Sequence, residues 1–350
     1  TIALSDNIEI RDPYLTVAGQ TAPAPGILIR GAGIEIQTHD VLIQHIRVRV
    51  GDDPSGPSPG SRDGFRIIGS SVYNIVLDHV STSWSIDELF SIYTSNNVTV
   101  SRSIFAEGLD DSLHPDGPHS KAVFVAEGTK NFTFYGNLVA DNIDRNPAIK
   151  GNTSAIVVNN LIYNWGNGAA IPIWDSSSDP TGLPSIASVV GNVFIEGPDS
   201  ESGTLCLKIH DTVADGSAVY LEDNEWADAT SDPWSIAEIE SLSFDPKASS
   251  APVWTDLSVR ASSQVEGWVL QGAGAWPAYR DDVDSRVVDG VQSRSGRVID
   301  SPSDVGGYPS IPSASRALQL PSSPNGDDDG DGYTNLEELL HELAATAEGR

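Results

Sequence analysis

Residues 145–151 read Arg-Asn-Pro-Ala-Ile-Lys-Gly, so that Arg145 and Lys150 flank a proline that fixes the turn between them. A guanidinium and an ammonium held close together can grip the carboxylates of an acidic ligand. Taken singly, a surface cation is usually only solvated. A second, separate chemistry lies near the end of the chain, where residues 327–338 match the twelve-position calcium loop. Asp327, Asp329 and Asp331 occupy positions 1, 3 and 5, Gly332 position 6, Tyr333 position 7 through its carbonyl, Asn335 position 9 and Glu338 position 12. The Ser- and Pro-rich stretch before it leaves out the entering helix of a paired sensor, so the loop reads as a clamp for the tail.

What lifts Arg145 and Lys150 above the ordinary is the repeat around them. Six segments align, with second residues Val41, Ile75, Val98, Phe132, Ala155 and Ala187, at steps of 34, 23, 34, 23 and 32 residues. A unit of about 23 residues with insertions in alternate turns reads as a solenoid. Apolar residues alternate within each unit, as at Val98 and Val100 or Phe132 and Phe134, so one face points into a shared core. Asn137, Asn160 and Asn192 fall in register and predict an asparagine ladder from rung to rung. The insertions Gly51–Ser71, Glu107–Lys130 and Asp175–Ser185 are expected to gather on a binding face. The predicted fold is therefore all-β, a parallel β-helix from Tyr14 to about Glu196, with loops over residues 223–252 and C-terminal helix and loop additions. A helix is expected from Trp276-Pro277 carrying Val283, Val287 and Val291, then a strand Arg297–Asp300 and a helix Leu336–Ala345. The expected division is a main domain over 1–310, a Ser/Pro linker over 311–326 and the calcium loop with its helix over 327–350.

Composition narrows the function. A formal charge of −29 opposes binding to nucleic acid or to an anionic membrane, and no apolar run is long enough for a spanning helix. The same charge requires any polyanion site to gather local cations or bound metal. One cysteine, Cys206, excludes an intrachain disulfide framework and is expected to be buried. Asn97, Asn131 and Asn152 head glycosylation tripeptides. The seven histidines show no metal spacing along the chain. Thr1 opens directly into strand-like sequence, as expected where a secretory signal is absent or already removed.

Five blocks in order, Thr16–Pro23, Leu77–Glu88, His114–Ser120, Arg145–Lys150 and Gly296–Pro302, resemble an extracellular pectate lyase of polysaccharide lyase family 1. The resemblance implies a right-handed parallel β-helix that is secreted, acts as a monomer and cleaves α-1,4-polygalacturonate by calcium-assisted β-elimination. It places Arg145 at the base position and Lys150 at a second substrate-binding cation. It also puts Asp63, in Arg62-Asp-Gly, and Asp87, in Ser85-Ile-Asp-Glu, at the cleft calcium, which hard carboxylate oxygens suit, although a lone turn aspartate usually stabilises its own backbone. Substrate contacts are expected at Asp116, His119, Lys121 and Trp84. Arginine is a poor base at its ordinary pKa above about 12, so neighbouring positive charge must favour its neutral form.

The sequence departs from the family pattern at three points. Ser83 and Ser61 stand where many relatives carry a carboxylate, and the family's His-Pro-Lys-Gly block reads His114-Pro-Asp-Gly, with Asp116 replacing a substrate-binding lysine. Lys121 is near enough in sequence to compensate. Two other readings stay open on the residues alone. One is a β-helix glycoside hydrolase using Asp110, Asp111 and Asp116 as its paired carboxylates. The other is a non-catalytic carbohydrate-binding relative with Trp84 as a sugar-stacking platform.

Overall fold

A computed structural model describes residues 1–166 and 168–350. Three parallel sheets of eight, nine and eight strands form the walls of a parallel β-helix, each strand pairing with the strand three along in sequence except at the end of the nine-stranded sheet, where Leu205–Ile209 pairs with Ala237–Ile239, two along. The aligned segments predicted from the repeat pair in the predicted register: Val41 with Ile75, Ile75 with Val98, Val98 with Phe132, Phe132 with Ala155 and Ala155 with Ala187. The column continues beyond the six aligned segments, to Leu15 on one side and, past the predicted limit, to Val219 on the other. Solenoid strands are present from Ile2–Ala3 onward and run past the predicted end at Glu196 to Ala237–Ile239, because late strands such as Leu205–Ile209 and Ala218–Glu222 keep the inward alternation although their turns lengthen.

The inward side chains make one continuous apolar column. Phe90 stacks on Phe132 at a centroid distance of 5.9 Å, and Phe105 lies 5.8 Å from Phe134. At one corner the buried asparagines bond as expected: Asn137 Nδ2 donates to Asn160 Oδ1 at 3.0 Å and Asn160 Nδ2 to Asn192 Oδ1 at 2.9 Å. Asn224 extends the ladder, accepting from Asn192 at 3.0 Å. Buried amides need every partner satisfied, and stacking identical side chains one rung apart supplies them without water. A second, exposed ladder runs Asn131 to Asn97 to Asn74 to Asp40, so two of the three glycosylation-type asparagines spend their side-chain amides on rung-to-rung bonds.

Three helices dress the outside: α1 (Val265–Gly272), α2 (Asp282–Ser293) and α3 (Asn335–Glu348). Residues 277–279 form only a single 3-10 turn, so the helix expected from Pro277 starts at Asp282, where Asp281 caps it by accepting the Asp284 N–H. Arg297–Asp300 is not a strand; Ile299 makes one isolated bridge to Leu109, its carbonyl accepting the Asp110 N–H at 2.9 Å. α1 was not foreseen, since its eight residues include two glycines.

Helix α2 covers an outer sheet face through Val287, Val288 and Val291 against Ile104, Leu138 and Leu161. Beside this apolar contact lies a buried ionic cluster. Arg47 and Arg49, both fully buried, reach out of strand Ile46–Arg49 to Asp281 and Asp284; Arg49 Nη2 is 2.6 Å from Asp284 Oδ1 and Arg47 Nε 3.1 Å from Asp284 Oδ2. Ser83 belongs to this cluster, its Oγ accepting from Arg49 at 3.0 Å.

Candidate active site

The nine-stranded sheet carries the groups with chemistry, and strand pairing explains why they meet. Glu88 pairs with Lys121, and Lys121 bridges to Asp144, the residue before Arg145. Residues 50–64 and 107–120 enter this sheet along one edge, while the 174–185 insertion leaves it along the other. The insertions therefore flank the sheet on both sides and do not gather at a single corner.

Asp63, Asp87 and Glu88 bring one carboxylate oxygen each within 4.8 Å of one another. Asp63 is almost wholly enclosed, accepting the Glu88 N–H at 3.2 Å and the Ser91 hydroxyl. Burial, then Glu88 and Asp87, push its carboxyl well above the usual range. Burial also raises Glu88, to about 7, against the opposing pull of Arg145. A divalent cation would relieve the crowding of these three acids, two of which resist ionising, and the donor set is all oxygen; the residues fit calcium. Glu88 was quoted in the sequence motif but not assigned a role; that two adjacent acids, Asp87 and Glu88, turn toward the same point follows from the end of a β-strand, where alternation breaks down.

Arg145 stands over this cluster. Its backbone is left-handed, with φ 61°, its Nη1 is paired with Glu88, and its guanidinium lies 4.3 Å from the centre of the Phe124 ring. A bulky residue in that region costs energy and persists only where its surroundings enforce it. Lys150 leaves the other end of the short strand Ala148–Ile149, 3.2 Å from Glu127 and 4.9 Å from the Trp174 ring centre. Lys121 Nζ is 3.3 Å from Asp144. His119 Nε2 is 3.0 Å from Asp87 Oδ1 and its ring stacks on His114 at 3.5 Å; burial, then Lys121, hold its pKa down at about 4, so it is a neutral imidazole around neutral pH.

From Arg145 a groove of about 610 Å³ runs along the sheet, lined among others by Trp174, Lys208, His210 and Thr212. None of these four was singled out in the sequence, because they belong to late rungs with irregular spacing. Asp116 is exposed on the loop that carries His114. Asp110 is partly buried with its carboxylate on the Ser120 N–H, and Asp111 is exposed. Trp84 is a correction. It is fully buried, its indole N–H donates to Glu107 at 2.8 Å, and it packs with Ile86, Leu109, Val283 and Ile299, so it cannot stack on a sugar. The position of Ser83 is a correction as well: it faces Arg49 beneath α2 and not the carboxylate cluster, so the serine there takes nothing from the cleft.

In the tail, the carboxylates of Asp327, Asp329 and Asp331 converge within 4.8 Å, with Asp327 accepting the N–H groups of Gly330 and Gly332. Asn335 turns inward, its Oδ1 accepting the Asp328 N–H and its Nδ2 donating to Ser323. Tyr333 packs edge-on to His341, and Glu338 lies in the first turn of α3, which runs from Asn335 to Glu348 and so is longer at both ends than expected.

Comparison with known proteins bears on the reaction class. No family model matches the chain. Among curated proteins, a probable pectate lyase C of Aspergillus terreus is 30% identical over 346 residues, covering 95% of this chain and 73% of that protein. The chain belongs to the pectate lyase family, polysaccharide lyase family 1. A probable pectate lyase C of Emericella nidulans is 33% identical over 86% of this chain and 67% of its own length. Among solved structures, a pectate lyase analysed for its anti β-elimination mechanism and the cedar pollen allergen Jun a 1 each align with a TM-score of 0.53 at 15% identity. They cover 77% of this chain, and 69% and 76% of their own, which supports the fold. As a member of this family the protein is a lyase, so the glycoside hydrolase reading of Asp110, Asp111 and Asp116 falls away. Among the described residues no helix is long and apolar enough to cross a membrane.

Proposed function

We propose that the protein is a secreted, monomeric lyase that cleaves polygalacturonate by β-elimination at Arg145, with calcium held by Asp63, Asp87 and Glu88. The observation that carries this reading is the meeting of Arg145 with three crowded carboxylates at the head of a cation-bearing groove. When bound, calcium would offset the acids and the uronate carboxylate and act as a Lewis acid on the charge that develops. Arg145 takes the proton from C5, the C–H electrons form the C4–C5 double bond, and the C4–O bond breaks with its electron pair going to the departing oxygen, which takes a proton from water. Phe124 and the left-handed backbone hold the guanidinium in place, and relief of the negative charge on Glu88 is needed for its neutral form. Lys150 and Lys121 bind neighbouring carboxylates, His119 positions Asp87, and Trp174, Lys208 and His210 line the path of further sugar units. We assign the tail, residues 327–350, a calcium-clamped loop with Asp327, Asp329, Asp331, the Tyr333 carbonyl, Asn335 and Glu338 as ligands, joined by the 311–326 linker to the 1–310 lyase domain.

The test is a panel of polygalacturonate, methylated pectin and other polyuronides followed by ultraviolet absorbance of the unsaturated product, with and without chelator. Absorbance on polygalacturonate that chelator abolishes is expected; none on any polyuronide with calcium present removes the reading.

Two further results are expected. Asp63 and Glu88 have raised pKa values, so without metal the folded state keeps protons that the unfolded state has lost. Stability is then lost as pH rises through those values, toward and beyond about 7. Calcium must displace those protons, so its affinity should fall about tenfold per displaced proton for each pH unit below the group's pKa. The rise in unfolding temperature on adding calcium should be larger at pH 8 than at pH 5.5, and Asp63→Asn should remove most of that difference. Asp116→Lys, restoring a cation on the exposed loop, should lower KM for polygalacturonate about two- to fivefold, the range of an exposed charge contact; steady-state kinetics at fixed calcium would show it.

A further inference from the structure

On the corner that joins the two eight-stranded sheets, away from the lyase groove, two histidines face the last turn of α3. His45 and His79 occupy the same place in consecutive rungs, both left-handed (φ 58° and 50°), with the His45 N–H bonded to the His79 carbonyl at 3.0 Å. Their rings stack at 5.3 Å and 16°. Glu348 reaches between them, Oε1 at 3.7 Å from His45 Nε2 and Oε2 at 3.7 Å from His79 Nε2. These separations exceed hydrogen-bond length. The three groups each place a ligand atom within 4.8 Å of the others.

The far side of each ring is fixed. His45 Nδ1 lies 2.8 Å from the Ala275 carbonyl, which can only accept, so Nδ1 carries the hydrogen and Nε2 presents a lone pair. That Nε2 is fully buried and has no partner. His79 Nδ1 donates to the Asp78 carboxylate at 2.9 Å, and Asp78 is itself held by Ser101 and Gln44. A carbonyl behind one imidazole and a carboxylate behind the other are the outer-shell partners that orient metal-binding histidines.

We propose that His45, His79 and Glu348 bind one divalent transition-metal ion of the zinc class, which pins the C-terminal helix to the solenoid. Two imidazole nitrogens and one carboxylate exclude calcium, which takes oxygen donors, and suit zinc. Ligand atoms around a tetrahedral zinc lie about 3.3 Å apart, given bonds of about 2.0–2.1 Å. The two 3.7 Å spacings need a few tenths of an ångström of closure, and the third, between the imidazole nitrogens and within 4.8 Å, needs at most about 1.5 Å, which a turn of the His79 ring supplies. The side chains of His79 and Glu348 keep 8% and 11% exposure, which leaves water access to a fourth position. Two cations are nearby. Arg350 pairs with Glu348 Oε2 at 2.6 Å but is 68% exposed, so the pair yields readily. Arg102, one rung on, directs its guanidinium onto the Trp268 ring at 3.9 Å. Ala347 already packs on Ala275 and Trp276, so the ion would lock a contact the helix makes.

The test uses the full chain, stripped of metal and then given excess calcium to fill oxygen-donor sites. Titration with Co²⁺ is expected to give one equivalent with the intense visible bands of a four-coordinate ion, bleached by Zn²⁺. Glu348→Gln, at a partly exposed helix end, should keep the fold and polygalacturonate turnover, yet weaken Zn²⁺ by about 100-fold or more. It should also abolish the rise in unfolding temperature that Zn²⁺ gives the parent chain, and His45→Gln should do the same. Absence of a four-coordinate spectrum in the parent chain would overturn the proposal. So would zinc binding unchanged by Glu348→Gln, which would place the ion elsewhere, for example at Asp87, His114 and His119.

Discussion

Arg145→Ala is expected to lower kcat on polygalacturonate by about 10²–10⁴-fold, the range a positioned base contributes, while the solenoid stays folded. The loss should fall on kcat more than on KM, because Lys150 and Lys121 still hold carboxylates. Arg145→Lys should recover little. A lysine keeps the charge but not the planar fork that pairs with Glu88 and stacks over Phe124. Circular dichroism and the calcium-induced rise in unfolding temperature serve as folding controls, since Asp63, Asp87 and Glu88 are untouched. A fully active Arg145→Ala would take Arg145 out of the chemistry.

The second large effect concerns stability. Asp284→Ala should cost about 3–5 kcal/mol, because it leaves Arg47 and Arg49 buried with one carboxylate between them. Chemical denaturation would measure it, and hydrogen exchange should show α2 opening first. Burial alone would raise the Asp284 carboxyl, but Arg49 and Arg47 outweigh it and bring it down to about 2. Its folded pKa is therefore below the unfolded value of about 3.9, so this contribution is present above about pH 4 and is lost as pH falls toward 2. In Asp284→Ala the acid dependence in that window should flatten.

The chain's own pattern made the solenoid legible, because a parallel β-helix writes its rungs as in-register repeats and stacks identical side chains. The positions from Val41 to Ala187, and the asparagines from 137 to 192, recur in one register along the chain and pair in that register. Position within a rung was less legible than the rung itself. Trp84 belongs to the same motif as Asp87, but only the helix packed over that corner decides that it is buried. Glu88 carries no separate signal beside Asp87, since alternation would assign adjacent residues to opposite faces, and it fails here because Glu88 is the first residue of its strand and Asp87 lies outside it. The ionic cluster of Arg47, Arg49, Asp281 and Asp284 joins residues more than 230 apart and has no local signature. The two histidines at 45 and 79 were in register in the aligned repeats; reading them along the chain, rather than across rungs, hid their contact.

The most direct measurement of the central claim is mass spectrometry of the fragments released from a defined oligogalacturonate in the presence of calcium. Elimination at the Arg145 site is expected to leave, at each cut, one saturated fragment and one fragment lighter by a water with a C4–C5 double bond. Cleavage that yields two saturated fragments, or an unsaturated fragment produced equally by Arg145→Ala, would contradict it.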